Sequence, residues 1–506
     1  MRTLSLLTAA VVLLFTGATR SFAQQQQSPV QKSFQQAQKE LEEGILAIGG
    51  LEALQGIEDI TREISGTRHD EGQGMQPVLP RVVMPPAINH PRIKSIRDIR
   101  GQRTFDELQG VIFGGQPLNL RAILAGNAAF TVSEISRFVR TLPSASVGNA
   151  RAQRFRRYPE SLLLTAWNRP ETLRWVGEAD FEGRKQRVIS FADSDGAEVA
   201  LYFDALSHLL TKTELLGDDP ILGDITLETV YADWRPVEKL TLPFRITDKI
   251  DGVVQQDLRV SSVALNTHPP ESLFTLPDGY AKIEPPSPVP TAKKLADDVY
   301  AILGPYNSLA VVFKDYVLVV EAGANSRYSQ AVIAEIRKVA AGKPLRYLVS
   351  THFHFDHLGG VRSFIAEGAT IVTSLSARSV IERAAAAPHL MRPDALSRRP
   401  RAASFEIIEG RRVFDDGLHR VELYKIASPH VGEMIIAYLP KEKILLEGDM
   451  LDLPEAGIPP AGDDTADLAE QIQKLGLNVE TIIPVHGRMG SLADLQQALA
   501  ARAAKK

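Results

Sequence analysis

The stretch Thr351-His352-Phe353-His354-Phe355-Asp356-His357-Leu358-Gly359-Gly360 decides how the chain is read. It places three imidazoles and one carboxylate within six residues. Imidazole nitrogen and carboxylate oxygen are ligands that zinc and its first-row neighbours prefer. The run Leu345 to Ser350 just before it reads as a buried strand. His352 and His354 are two apart, so at a strand end they project to one side. Asp356 and His357 follow where the chain must turn, and can address a second locus. Gly359-Gly360 permits a tight entry into the helix suggested by Val361 to Ile365. One segment can thus serve two neighbouring metals. A His-rich surface turn is the plain alternative, and ligand types packed this closely behind an apolar strand weigh against it.

Three further ligand candidates share that setting. His430 follows Ser428-Pro429 after the apolar run Val421 to Ile426. Asp449 ends Ile444-Leu445-Leu446-Glu447-Gly448. His486 ends Ile482-Ile483-Pro484-Val485 and precedes Gly487. Upstream, Val299 to Leu303, Ser308 to Phe313 and Tyr316 to Glu321 read as strands. Ala322-Gly323 then turns into a helix over Tyr328 to Ala341. This order suggests a mixed or parallel sheet with the site at strand C-terminal ends.

These residues carry a resemblance to the metallo-β-lactamase superfamily. His352-x-His354-x-Asp356-His357 is similar to its signature, and His430, Asp449 and His486 match its later ligand motifs in order. The resemblance covers Thr291 to about Ala498 and implies an αβ/βα sandwich with the site on one sheet edge. It assigns His352, His354 and His430 to a first metal and Asp356, His357 and His486 to a second, with Asp449 bridging. Many members end the early strand with aspartate where this chain has Glu321. A longer carboxylate behind the ligands would alter how they are oriented.

The implied chemistry is hydrolysis by a metal-bridging hydroxide. Metal binding lowers the pKa of water from 15.7 toward about 7, and the cations polarise the attacked group. Asp356 is the expected catalytic residue, orienting the nucleophile while binding metal. Two zinc ions are expected, with iron or manganese as alternatives. In this family β-lactamases generally carry cysteine or serine near the bridging site. Gly448-Asp449 instead resembles the glyoxalase II and lactonase branches, so an ester, thioester, lactone or similar small-molecule substrate is favoured over a β-lactam. The segment Ala384 to Ser404 carries Arg392, Arg398, Arg399 and Arg401. As a lid it would favour an anionic substrate; as a solvated basic loop it would do nothing of the kind.

The 506 residues suggest roughly two to four domains. A formal net charge of -4 gives no hint of a nucleic-acid partner. The chain has no cysteine, which excludes disulfides, thiolate ligands and a cysteine nucleophile. Residues 1–23 read as a secretory signal: Arg2, an apolar run from Leu4 to Phe15 too short to span a membrane comfortably, and Ser21-Phe22-Ala23 before a cleavage at Gln24. A periplasmic or secreted protein follows, with no transmembrane segment after cleavage.

Residues 24–283 have a different texture. Gln31 to Leu54 reads as amphipathic helix broken at Gly49-Gly50, with Leu41, Ile45, Leu46, Leu51 and Leu54 as candidate core. Short strands with turns at Asp193 to Gly196 and Asp251-Gly252 then suggest hairpins. The region resembles the curved antiparallel half-barrel, with helices, of periplasmic lipoprotein-sorting carriers, which implies a lipid or hydrophobic ligand. His69, His90, His208 and His268 lack ligand spacing. Residues 284–290, rich in proline, read as a semi-rigid linker, and 291–506 as the hydrolase domain. The whole is therefore an α+β two-domain chain. Two competing readings are a lipid-binding envelope protein with a structural metal domain, and an envelope scaffold.

Overall fold

Burial alternates along the strands of the first half. In Glu198–Asp204, Val199, Leu201 and Phe203 are buried while Glu198, Ala200 and Tyr202 face outward, the period of two expected of a sheet with one covered face. The computed structural model describes residues 27–504 apart from 70–71, 75–76, 78–87, 112–116, 284–288 and 455–456. The expected signal sequence, and residues 284–288 of the expected linker, lie outside the described residues.

Fourteen strands between Asp59 and Ile283 form one sheet. Neighbours are antiparallel except for the end pair Ala281–Ile283 and Phe138–Thr141, which is parallel. Asp251 and Gly252, at φ 45° and 79°, make the tight turn between Leu240–Ile250 and Val253–Leu265. Helices Pro29–Ala47, Leu51–Gln55 and Pro159–Trp167 cover one face. Their Leu41, Ile45, Leu54, Leu162 and Leu163 join Phe191, Phe203 and Ile246 in a core. Gly49 and Gly50 break the first helix at φ 125° and 90°, conformations open to glycine. Leu46 is not core: it is 73% exposed, because one residue on from Ile45 a helix has rotated away from the sheet.

The second half has two sheets, of seven and six strands. Between them lies a core of Val299, Leu309, Val311, Leu318 and Val349 from one sheet and Val421, Leu423, Ile435, Leu446 and Ile483 from the other. Helices Ser326–Val339, Val361–Glu367 and Leu375–Ala386 pack on the first sheet, and Asp463–Lys474 and Leu492–Ala503 on the second. The layers are therefore helix, sheet, sheet, helix. Val317–Val320 runs parallel to Leu345–Val349, and Ile444–Glu447 parallel to Thr481–Pro484. Parallel strands deliver their C-terminal ends to the same edge, so Glu321, residues 350–357, Asp449 and His486 emerge together. No helix among the described residues is long and apolar enough to cross a membrane.

The basic segment 384–404 joins the two halves. Asp224 accepts hydrogen bonds from the backbone N–H of Leu390 (2.6 Å) and Met391 (3.1 Å), and His389 Nδ1 lies 2.9 Å from Asp218. Arg362 pins the segment from beneath, donating to both oxygens of Asp394 (2.6 and 3.1 Å) and to the Ala384 carbonyl (2.6 Å). Of its arginines, Arg399 pairs with Glu367 at 3.1 Å. These contacts run to the helix Val361–Glu367 and to the first half's sheet, where sequence alone left a lid and a solvated loop both open.

Burial raises the Asp394 carboxyl, but Arg362 and the Ser397 N–H hold it well below the usual range. A depressed carboxylate contributes stability that is present above its unfolded pKa, about 3.9, and is lost as pH falls. Asp394→Asn leaves Arg362 buried and half-paired, so it is expected to cost about 3–5 kcal/mol at pH 7. The deficit should narrow as pH drops below about 4. Denaturant unfolding of the second half measures both; a loss under about 1 kcal/mol, the worth of an exposed pair, would contradict the clamp.

Candidate metal centre

The strand Leu345–Val349 stops three residues before His352, so neither His352 nor His354 sits at a strand end. Residues 350–354 form a loop, and Phe355–Leu358 is a single helical turn. Expected alternation across a strand is therefore replaced by loop geometry. Gly359 and Gly360 have ordinary negative φ at -57° and -94°. They are needed for close approach instead: a Cβ would collide with the Ala324 carbonyl at one and with Ser329 Oγ at the other. Gly448 is similar, its missing Cβ leaving room for His352 and Thr351.

The seven candidate residues converge in two groups. His352, His354, His430 and Asp449 form one, and Asp356, His357, Asp449 and His486 the other, each with donor atoms within 4.8 Å of one another. Asp449 belongs to both. Its Oδ2 lies 3.3 Å from His430 Nε2 and 3.8 Å from His352 Nε2. Its Oδ1 lies 2.9 Å from His357 Nε2 and 3.3 Å from His486 Nε2. Asp356 Oδ2 is 3.1 Å from His486 Nε2, and His354 Nδ1 is 3.1 Å from His430 Nε2.

The far side of each ligand is held. His352 Nδ1 lies 2.9 Å from Thr351 Oγ1, His357 Nδ1 2.9 Å from Glu321 Oε2, and His354 Nε2 3.0 Å from the Gly74 carbonyl. With their outer nitrogens carrying the proton, His352 and His354 present bare lone pairs to the cluster; burial opposes charge on His357, but Asp449 and Glu321 hold its pKa well above the ordinary value. Glu321 is fully buried at φ 77°, and its other oxygen accepts from the Thr351 N–H at 2.9 Å. Its extra methylene relative to aspartate thus serves two parts of the motif loop.

His352 Nε2, His357 Nε2 and Asp449 Oδ1 are buried without a hydrogen-bond partner of good geometry. Such atoms cost about 1–3 kcal/mol each unless something accepts them. Converging lone pairs of imidazole and carboxylate fit a divalent cation. The electrostatics divide the imidazoles into two sets. Burial and neighbouring imidazoles push His352 far down and His354 to about 4. Burial opposes charge on His430 and His486 too, but Asp449 with Asp464, and Asp356 with Asp449, raise them to about 9. Asp356 falls to about 2: burial opposes this, and His486 and His357 outweigh it.

Sequence reasoning missed several neighbours. Glu447 is fully buried, and burial raises its carboxyl far above the usual range; it accepts the Met450 N–H at 2.8 Å and so fixes the turn that aims Asp449. Tyr306 stands edge-on to His486 at 5.3 Å between ring centroids. Burial, then Asp356, raises its hydroxyl pKa, so it keeps its proton. Gln73 and Gly74 come from the first half. None of these lies in a motif or next to one, apart from Glu447. A third group, Glu40, Glu43 and His208, is balanced by Arg187, which pairs with Glu40 at 2.9 Å.

Residues 301–486 match the family model of the metallo-beta-lactamase superfamily. A stretch of 51 residues, 10% of the chain, is 41% identical to the linear primary-alkylsulfatase of Pseudomonas sp. (strain ATCC 19151). The match spans only 10% of that relative's length. Similar solved structures include a metallo-beta-lactamase from Pontibacter korlensis, 18% identical, covering 42% of this chain and 99% of that one with a TM-score of 0.32. The FIM-1 metallo-beta-lactamase from Pseudomonas aeruginosa in its mono-zinc form is also 18% identical, covering 43% and 96% with a TM-score of 0.32.

In the metal-free protein His430 and His486, titrating at about 9, carry protons at pH 7. Raised pKa values stabilise the fold most below the unfolded value near 6.5, so this contribution fades as pH rises from about 6.5 through 9. A cation taking their lone pairs must expel those protons. Zinc titrated into metal-free protein at pH 7 is expected to release protons, and fewer at pH 9.5. Calorimetry in buffers of different ionisation enthalpy measures this; heats independent of buffer at pH 7 would contradict it.

Proposed function

We propose that the protein is an exported hydrolase with a dinuclear zinc centre. The observation that carries this reading is the split of Asp449, one oxygen toward each group of ligands. A carboxylate so placed would offer one oxygen to each of two cations. His352, His354 and His430 would hold the first, Asp356, His357 and His486 the second. Such a pair supplies a water of low pKa and polarises the group under attack.

The chain's own residues do the rest. Asp449 and Asp356 bring two negative charges to a largely buried pocket, which would offset half the charge of two dications. Asp356 offers Oδ2 inward and is the residue placed to orient the nucleophile. Glu321, Thr351 and the Gly74 carbonyl fix the imidazoles, so little reorganisation is left for the reaction. Tyr306, protonated and beside His486, is placed on the rim of the second group.

The substrate class we favour is an ester, thioester, lactone or sulfate ester. The short match to an alkylsulfatase supports including primary alkyl sulfates. For the first half we propose the curved half-barrel of a carrier, bounded near residues 284–290. Its helices fill the covered face with their own apolar side chains, which leaves that face to the protein rather than to a lipid. Residues 1–23 are proposed as the export signal, and a mature chain beginning at Gln24 by N-terminal sequencing tests it.

Purified protein is expected to carry about two divalent ions per chain and to lose turnover on chelation. His430→Ala and His486→Ala should each lose one ion. Asp449→Ala should lower kcat/KM by more than the roughly 10–100-fold that outer partners are worth. Elemental analysis with a panel of lactones, thioesters, alkyl sulfates and β-lactams measures these outcomes. Protein that binds no divalent ion would overturn the reading, and turnover confined to β-lactams would redirect its substrate class.

A further inference from the structure

We propose that residues 72–74, in the connection between strands Asp59–Arg68 and Ile88–Asp98 of the first half, are working parts of the metal centre, with Gln73 positioning Asp356 and Gly74 positioning His354. This rests on the metal-centre reading above. Three successive contacts carry it. The Gly72 carbonyl accepts from the Phe355 N–H at 3.1 Å. Gln73 Nε2 donates to Asp356 Oδ1 at 2.6 Å. The Gly74 carbonyl lies 3.0 Å from His354 Nε2. The two segments therefore lie against each other across the boundary between the halves.

Each contact has a consequence for a ligand atom. Asp356 has two oxygens and a side chain free to rotate. With Oδ1 held by Gln73, Oδ2 is the one turned to His486 at 3.1 Å and His357 at 3.6 Å. The amide is a neutral donor, so it orients the carboxylate without competing with a cation for its charge. Gly74 takes the outer proton of His354, which leaves Nδ1 bare toward the first group. Gly72 lets the strand of contact approach: at φ 81°, a Cβ there would collide with the Phe355 ring. One ligand of each group is thus aimed from outside the half that contains all seven. Gln73 acts only through Asp356, so its effect belongs to the second group.

The test uses the full-length chain. Gln73→Met keeps side-chain length and removes the donor. It is made in His430→Ala, where the second group is the remaining site, and in His486→Ala, where the first is. Zinc affinity is read by competition with a chromophoric chelator. In the His430→Ala background Gln73→Met is expected to weaken zinc by about 10–100-fold; in His486→Ala the change should stay within about twofold, within the ordinary scatter of an independent site. Equal affinities with and without the donor in the His430→Ala background would overturn the proposal. So would equal losses in both backgrounds, the result of general loosening. Wild-type protein that binds no zinc would instead remove the metal-centre reading, and this inference with it.

Discussion

The site in the second half depends on one constraint: ligand atoms of five imidazoles and two carboxylates must point inward at the same place. Left alone that arrangement is costly, because buried polar atoms face one another unsatisfied. Two devices hold it. Parallel strands bring their C-terminal ends to one edge, which fixes where the ligands start. Outer partners then take the far nitrogen or oxygen of a ligand, which fixes how it points. Asp449 is where the two groups meet; beside it Gly448 leaves room for His352 and Thr351, and buried Glu447 holds the turn through the Met450 N–H.

Much of this was legible in the chain. His352, His354, Asp356 and His357 are close in sequence, and His430, Asp449 and His486 each follow an apolar run, so pattern alone placed them at sheet edges. Among the strands around them, Ile444–Glu447 is fully buried and Thr481–Pro484 nearly so, which gives apolar stretches that are hard to misread. The details of the motif were less visible. Residues 350–354 are loop, and only the three-dimensional path shows why Gly359 and Gly360 must lack side chains. Leu46 differs because the adjacent apolar pair Ile45-Leu46 does not say which of the two faces the sheet.

Contacts made across the chain left no signal at all. Gln73 and Gly74 lie some 280 positions from the ligands they touch, in a stretch rich in glycine that resembles any loop. Arg392 to Arg401 left a cationic lid and a solvated basic loop both open by composition; Arg362 and Asp394 fasten that segment down, and Asp224 ties it to the first half's sheet. Charge density in a sequence says that a segment is polar; it does not say what neutralises it. The first half thus meets the second at the motif loop and at the segment 387–391, which makes it a partner in the site's geometry as well as a separate sheet.

The central claim concerns where two cations sit relative to one carboxylate. Anomalous diffraction from a zinc-loaded crystal, recorded on both sides of the zinc absorption edge, tests it most directly. The account requires two peaks about 3.5–4 Å apart, one among His352, His354 and His430, the other among Asp356, His357 and His486, with an oxygen of Asp449 on each. A single peak with Asp449 turned away from it, or zinc bound outside these seven side chains, would contradict it.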